Sequence, residues 1–84
     1  MYYLYVLKNK RNKFLYVGYT NNLKRRIEEH RNKESSYTAR MGEWELVYYE
    51  AYKARKDAMA RERMLKHHGS SLGRLRKRIA ESLQ

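Results

Sequence analysis

The sequence predicts a small α/β protein in which helices pack on one sheet, with the elements in the order ββαβαα. Two observations predict this class. All nine tyrosines lie between Tyr2 and Tyr52, whereas the remainder is rich in Ala, Met, Leu, Arg and Lys, so a strand-forming part precedes a helix-forming part. A length of 84 residues allows one domain, spanning residues 1–84. Cysteine is absent, so the core must hold by packing and no disulfide-linked partner is expected.

The first two strands are expected to form a β-hairpin. Residues 2–7 and 14–19 are runs of aromatic and branched side chains, and the polar segment 8–13 separates them. Neither run alternates with polar residues, so both faces of the sheet should be covered. The tip of the hairpin should be basic.

A helix and a third strand are expected next. Thr20, Asn21 or Asn22 can cap a helix that ends near His30 or Arg31. One face of that helix carries the side chains Leu23, Arg26, Ile27 and His30. Residues 32–43 lack periodicity and should form a loop, and residues 44–52 return to strand composition.

Two more helices complete the prediction. Residues 54–68 favour a helix that ends with Gly69 at the C′ position, and Ser70 or Ser71 can cap the next one. In that last helix an apolar stripe lies opposite a basic one. The apolar stripe consists of Leu72, Leu75, Ile79 and Leu83, and the basic stripe consists of Arg74, Arg76, Lys77 and Arg78.

The charge predicts a polyanionic partner. Lys and Arg number 20 against 9 Asp and Glu, which gives a net charge of +11, and the pI is about 10.1. Nucleic acid is the expected partner. The basic side chains expected to contact it are Lys10, Arg11, Lys13, Arg25, Arg40, Lys66 and Arg74. No apolar run is long enough to cross a bilayer and the first residues lack a signal-peptide pattern, so no membrane partner and a cytoplasmic location are expected.

Glu62 is the most informative single residue. The helical wheel places it within the arc of Ala58 and Leu65, so its carboxylate faces the body of the protein. One interpretation is a salt bridge to Lys66, four residues later, or to a nearby arginine. The other is a ligand for a hard cation such as Mg²⁺, which uses one or two carboxylates and completes its shell with water and phosphate oxygens.

Four further residues also have two interpretations each. Arg26 and His30 stand one turn apart. They are either an ordinary pair of helical side chains or a guanidinium that binds a phosphoryl group and a neighbouring imidazole that transfers a proton. Tyr5 and Tyr16 lie on neighbouring strands. They are either aromatic residues of the core or phenols that relay a proton. His67 and His68 point about 100° apart on a helix and are interpreted as surface residues.

In chain order these residues resemble the GIY-YIG endonuclease superfamily, most of all its small stand-alone members. The match consists of Tyr3-Leu4-Tyr5, then Tyr16-Val17-Gly18, then Arg26, His30 and Glu62, and it extends over residues 2–77. The resemblance implies a three-stranded antiparallel sheet flanked by helices. It also implies a nuclease that hydrolyses phosphodiester bonds, with DNA expected first and RNA left open.

The resemblance also implies the roles of the matched residues. One divalent cation, Mg²⁺ or Mn²⁺, would be held by Glu62. Tyr5 and Tyr16 would line the site, one of them assisting deprotonation of the attacking water. Arg26 would stabilise the pentacovalent phosphate, and His30 matches a position that transfers a proton in some members.

Two departures from the family pattern keep an alternative function open. Tyr3 and Leu4 replace the glycine and isoleucine of the first triplet, and no asparagine follows Asn32. Several family nucleases carry an asparagine beyond the metal-binding glutamate, where this chain has Arg74. The alternative is a nucleic-acid-binding module of the same fold with little or no turnover. A membrane or protein adaptor that uses the last basic helix is a third hypothesis, and it accounts for none of the matched residues.

Overall fold

The computed structural model describes residues 1–32 and 42–84 and has the expected order of elements. The strands are β1 (Tyr2–Asn9), β2 (Leu15–Thr20) and β3 (Trp44–Tyr52), and the helices are α1 (Leu23–Arg31), α2 (Arg55–His67) and α3 (Gly69–Arg78). The prediction ββαβαα is therefore confirmed. Most of the predicted loop 32–43, including Arg40, lies outside the described residues.

The sheet is antiparallel with strand order β2-β1-β3, so β1 is central. Residues 4–9 of β1 are all buried, as expected for a strand that has a neighbour on each side and covered faces. In the register of the sheet, Tyr5 lies opposite Gly18 of β2 and Tyr49 of β3. This register decides which side chains meet on each face.

The two faces of β1 have different functions in packing. Leu4 and Val6 belong to the main hydrophobic cluster, with Leu65 of α2 and Leu75 of α3. Tyr5 points the other way, because successive side chains of a strand alternate between faces, and it meets α1. The sheet therefore separates an apolar core from a polar layer beneath α1.

The hairpin differs from the sequence prediction at its tip. Lys8 and Asn9 were assigned to a polar tip, but both extend β1 and are buried. The ammonium of Lys8 donates to the carbonyl of Leu83. The Asn9 side-chain oxygen accepts from the backbone N–H groups of Arg11 and Asn12 at 2.8 and 3.1 Å. These partners compensate the burial of two polar residues, which composition alone does not reveal.

The junction between α2 and α3 also corrects a prediction. Gly69 does follow the C-cap of α2, but it has no positive φ and becomes the first residue of α3. The break comes from His68, which is extended at φ −125° and ψ 92°. Ser70 and Ser71 do not cap α3: the His68 carbonyl accepts the Ser71 N–H at 2.9 Å, and no side chain caps the helix.

The remaining elements agree with their predictions. Asn22 caps α1, since its side-chain oxygen accepts the backbone N–H of Arg25 at 3.0 Å. All four residues of the predicted apolar stripe pack in or against the core, but only Leu72 and Leu75 lie on α3; the helix ends at Arg78, so Ile79 and Leu83 follow it. Within residues 1–32 and 42–84, every helix is too short or too polar to span a bilayer.

Candidate active site

A hydrogen-bonded group of three side chains lies between the central strand and α1. The Tyr5 hydroxyl accepts from Arg26 Nε at 3.2 Å and lies 3.1 Å from His30 Nε2. Tyr5 and His30 are almost fully buried, with 1% and 5% of their surface exposed. Because Arg26 and His30 are one turn apart on α1, both reach the same hydroxyl. The sequence-predicted pair on α1 and the tyrosine of the first triplet therefore meet.

Gly18 makes room for this group. Gly18 lies opposite Tyr5 in the sheet register. A Cβ atom at Gly18 would sit 2.6 Å from the Tyr5 hydroxyl oxygen and 2.7 Å from its Cζ, inside van der Waals contact. The Tyr5 ring therefore lies across the strand position that a glycine leaves open.

The surroundings set the protonation of this group. Burial raises the pKa of Tyr5 to about 12, with the hydrogen bond from Arg26 acting in the opposite direction. Burial, and then the positive charge of Arg26, lowers the pKa of His30 to about 4. At neutral pH the phenol is therefore protonated and the imidazole is neutral.

Arg26 is held in place from two sides. Its Nη1 donates to Glu29 Oε1 at 2.8 Å, and this hydrogen bond is the main cause of a raised Arg26 pKa. Its Nε is bound to Tyr5. Glu29 was not singled out from the sequence, although its spacing of three residues from Arg26 is the signal that could have found it.

Tyr16 extends the group into an aromatic cluster at the β2 side. Its ring centroid lies 6.3 Å from that of Tyr5, 5.4 Å from His30 and 6.2 Å from Trp44, the last two in edge-on arrangements. Tyr16 is only half-buried. Trp44 is a further residue that sequence reasoning missed; it is the first residue of β3 and the chain's one tryptophan.

Glu62 approaches the cluster from α2. Its side chain is 22% exposed and lies 3.3 Å from the ammonium of Lys66, and its charge contributes to the raised pKa of Tyr5. The ammonium of Lys66 also stands 5.7 Å from the centre of the Tyr16 ring. The structure thus brings together Tyr5, Tyr16, Arg26 and His30. Glu62 acts electrostatically on Tyr5, and its ion pair to Lys66, expected from the sequence, is present.

The carboxylate of Glu62 fits one kind of metal. No three metal-ligating His, Cys, Asp or Glu side chains come together in the described part of the chain, as a closed all-protein zinc or calcium site would require. A partly exposed single carboxylate suits a hard cation that takes its other ligands from water and phosphate. The donor set therefore fits Mg²⁺ or Mn²⁺.

The side chains expected to contact nucleic acid are distributed over the hairpin tip and the helices. Lys10, Arg11 and Lys13 are exposed at the hairpin tip, where Lys10 is 3.6 Å from Glu43. Three others are also exposed, on α1, α2 and α3: Arg25, Lys66 and Arg74. Arg40 lies outside the described residues. Their contact with nucleic acid remains a prediction.

Comparisons with known proteins agree with the fold. The family model "GIY-YIG catalytic domain" matches residues 1–78. A UPF0213 protein of Clostridium perfringens is 42% identical over 67 residues, which are 79% of this chain and 71% of that protein. A UPF0213 protein of Oceanobacillus iheyensis is 36% identical over 66 residues, 77% of this chain and 76% of that protein.

A solved structure of a UPF0213 protein is also similar to this chain in fold and sequence. The solution NMR structure of a UPF0213 protein from Bacillus halodurans matches with a TM-score of 0.54 and 32% identity, over 89% of this chain and 85% of that one. The range matched by the family model, residues 1–78, includes both tyrosine triplets as well as Arg26, His30 and Glu62. The chain belongs to the GIY-YIG catalytic domain family, among its small UPF0213 members.

Proposed function

We propose that the protein is a nuclease that hydrolyses phosphodiester bonds in nucleic acid, DNA in the first place, with one Mg²⁺ or Mn²⁺ ion as cofactor. The observation that carries the proposal is the convergence of Tyr5, Tyr16, Arg26, His30 and Glu62 from four elements in a member of a catalytic domain family. The net charge of +11 supports a polyanionic substrate.

Glu62 would hold the cation in this proposal. Its side chain is partly exposed and lies close enough to Tyr5 for its charge to contribute to the raised pKa of that tyrosine. A bound divalent cation supplies Lewis-acid polarisation of the phosphate and stabilises the leaving oxygen. Since Lys66 is ion-paired with Glu62, its ammonium must move aside when the carboxylate takes a metal.

Arg26 would stabilise the negative charge that builds up on the phosphate. Tyr5 and Glu29 hold two of its nitrogens, Nε and Nη1. Those contacts fix the plane of the guanidinium before substrate arrives, and a preorganised donor stabilises the transition state more than a mobile one. The remaining edge of the guanidinium is the part proposed to meet the phosphate.

The two tyrosines would have different roles. Tyr5 is 1% exposed and keeps its proton because its pKa is raised to about 12. We therefore assign Tyr5 a positioning role, through Arg26. Tyr16 is half-buried at the side of the sheet that Glu62 and Lys66 approach, so it is the tyrosine proposed to contact the attacking water and assist its deprotonation.

His30 would act beneath the surface. With a pKa near 4, its imidazole is neutral at pH 7 and can accept a hydrogen bond from the Tyr5 hydroxyl at Nε2. A neutral ring next to Arg26 also avoids repulsion between two cations. In this proposal His30 holds Tyr5 in place and is the buried end of any proton transfer through the phenol.

A second candidate function is a nucleic-acid-binding module with little turnover. The Glu62–Lys66 ion pair favours it, because Lys66 already neutralises the proposed metal ligand. The lack of asparagine after Asn32 also favours it, with Arg74 in the approximate place of the family residue. The preorganised contacts of Arg26 favour the enzyme.

A panel of substrates separates the two functions. Purified protein is incubated with single-stranded, duplex, flap and branched DNA and with RNA, in Mg²⁺ or Mn²⁺, and both binding and cleavage are measured. The enzyme predicts metal-dependent cleavage of at least one substrate. The exposed helical Glu28 gives a control: Glu28→Ala should cut like the wild type, whereas Glu62→Ala should bind and not cut. Binding without cleavage by the wild type on every substrate would establish the binding module instead.

A further inference from the structure

A second group of basic side chains lies between α2 and α3. Arg61 of α2 and Ser71, Arg74 and Arg78 of α3 line a cavity of about 180 Å³, together with Leu75. The α3 residues are spaced by three and four, so they share one side of that helix. We call these four polar residues the arginine pocket.

The arginine pocket has an excess of positive charge. Arg61 is paired with Glu50 at 3.0 Å. Burial acts to raise the pKa of Glu50, but hydrogen bonds from two tyrosines of β3 and from Arg61 lower it overall, so Glu50 is ionised and neutralises Arg61. No Asp or Glu occurs in residues 63–80. The charges of Arg74 and Arg78 therefore have no carboxylate on their own helix to offset them.

Ser71 adds a polar group inside the pocket. It is only 7% exposed, and its hydroxyl accepts from Arg74 Nη2 at 3.4 Å. Two guanidinium groups beside a hydroxyl form a set of donors suited to a tetrahedral oxyanion, since guanidinium binds phosphate through paired N–H groups.

The arginine pocket and the hydrogen-bonded group of Tyr5, Arg26 and His30 lie on opposite faces of the sheet. Glu50 stands opposite Leu4 in the register, on the face of the apolar core, whereas Tyr5 points to the other face. On α2, Arg61 points to Glu50 of β3, while its neighbour Glu62 acts on the aromatic cluster. A segment of nucleic acid bound at the active site would therefore not reach the arginine pocket by the same phosphates.

We propose that the arginine pocket is a second phosphate-binding site, which holds the backbone of nucleic acid at a segment other than the one presented to the active site. The proposal rests on the proposed function only in that the partner is nucleic acid. It assigns the pocket to affinity and leaves the chemical step to the candidate active site. Backbone phosphate contacts position a nucleic acid without reading its sequence.

The test compares two double variants of the same helix. Arg74→Gln with Arg78→Gln removes two charges from the arginine pocket. Arg76→Gln with Lys77→Gln removes two charges from elsewhere on α3, since neither residue lines the pocket. All four side chains are exposed, so both variants should fold, and circular dichroism checks this. Fluorescence anisotropy without metal then measures binding of labelled duplex DNA and duplex RNA at several salt concentrations.

The pocket variant should lose about tenfold or more in affinity for both duplexes, as expected when charge-assisted hydrogen bonds are lost. Its slope of log affinity against log salt should flatten by about 0.9 for each duplex-DNA phosphate no longer contacted. The control variant should change affinity by less than about threefold.

A direct probe of the pocket is titration with inorganic phosphate, followed by NMR of the backbone amides. Saturable shifts should appear at Ser71, Arg74 and Arg78 and be lost in the pocket variant. Equal losses of affinity in both double variants, or phosphate shifts spread over all basic segments, would overturn the proposal. The proposal would also be overturned if the pocket variant bound anionic phospholipid vesicles more weakly than the wild type while its affinity for nucleic acid was unchanged. Because binding is measured without metal, a wild type that cuts nothing would refute the nuclease and leave this test intact.

Discussion

Replacement of Gly18 by alanine should disrupt the candidate site through packing alone. The new Cβ would lie 2.6 and 2.7 Å from two atoms of Tyr5, so about 1 Å of movement is needed to reach ordinary carbon contact. Tyr5 is 1% exposed and hydrogen-bonded to Arg26 and His30, so its ring cannot move without losing those bonds. Overpacking of a core costs about 1–3 kcal/mol, and each lost hydrogen bond about 0.5–1.5 kcal/mol.

Overpacking and the loss of both hydrogen bonds together cost about 2–6 kcal/mol. About 0.5–1 kcal/mol is regained because alanine is less flexible than glycine in the unfolded chain, so Gly18→Ala should lower the free energy of unfolding by about 1–5.5 kcal/mol. Urea unfolding measures it. In a Tyr5→Leu background the clashing ring is gone, and the same substitution should cost less than about 0.5 kcal/mol. Gly73→Ala is the control, since its Cβ would have no neighbour within 4 Å, and it should stabilise α3. Equal costs of Gly18→Ala in both Tyr5 backgrounds would refute the reasoning.

Three further predictions concern Arg26, His30 and Lys66. Arg26→Lys keeps the charge but not the planar fork, so it should lower the cleavage rate by about 10²-fold or more while the protein still folds, and a rate near that of the wild type would argue against the proposed role. Folding lowers the pKa of His30 from 6.5 to about 4, so the unfolded state binds more protons than the folded state between these two pH values. The free energy of unfolding should therefore fall as the pH drops from about 6.5 to 4. His30→Gln should remove this part of the pH dependence of the urea midpoint. Lys66→Met removes the ammonium paired with Glu62 and should tighten Mn²⁺ binding in calorimetry, whereas an unchanged or weaker affinity would show that Lys66 does not compete with the metal.

Patterns local in sequence predicted most of the elements. The aromatic runs gave β1 and β2, the cap at Asn22 gave the start of α1, and the wheel placed Glu62 toward the body of the protein. Each of these depends on residues within a turn or a strand of one another. Local patterning is therefore sufficient to predict properties of a single element, such as its type, its first residue and the side chains on its buried face.

The parts that were wrong or missed depend on contacts between elements. Lys8 is buried because the carbonyl of Leu83 arrives from the other end of the chain. The role of Gly18 follows from its register opposite Tyr5, which is set by strand pairing. Likewise, the ion pair between Arg61 of α2 and Glu50 of β3 joins residues 11 positions apart on different elements. Such long-range pairs leave no periodic signal in the sequence.

The cleavage rate of Glu62→Ala tests the central claim most directly. At saturating protein and in Mn²⁺ or Mg²⁺, the wild type should cut its best substrate, and the variant should lose at least about 10²-fold in rate. Loss of the partly exposed ion pair to Lys66 should change the free energy of unfolding by no more than about 1 kcal/mol, so the variant remains folded. A folded Glu62→Ala protein that cuts as fast as the wild type would contradict the assignment of Glu62 as the metal ligand and, with it, the proposed nuclease site.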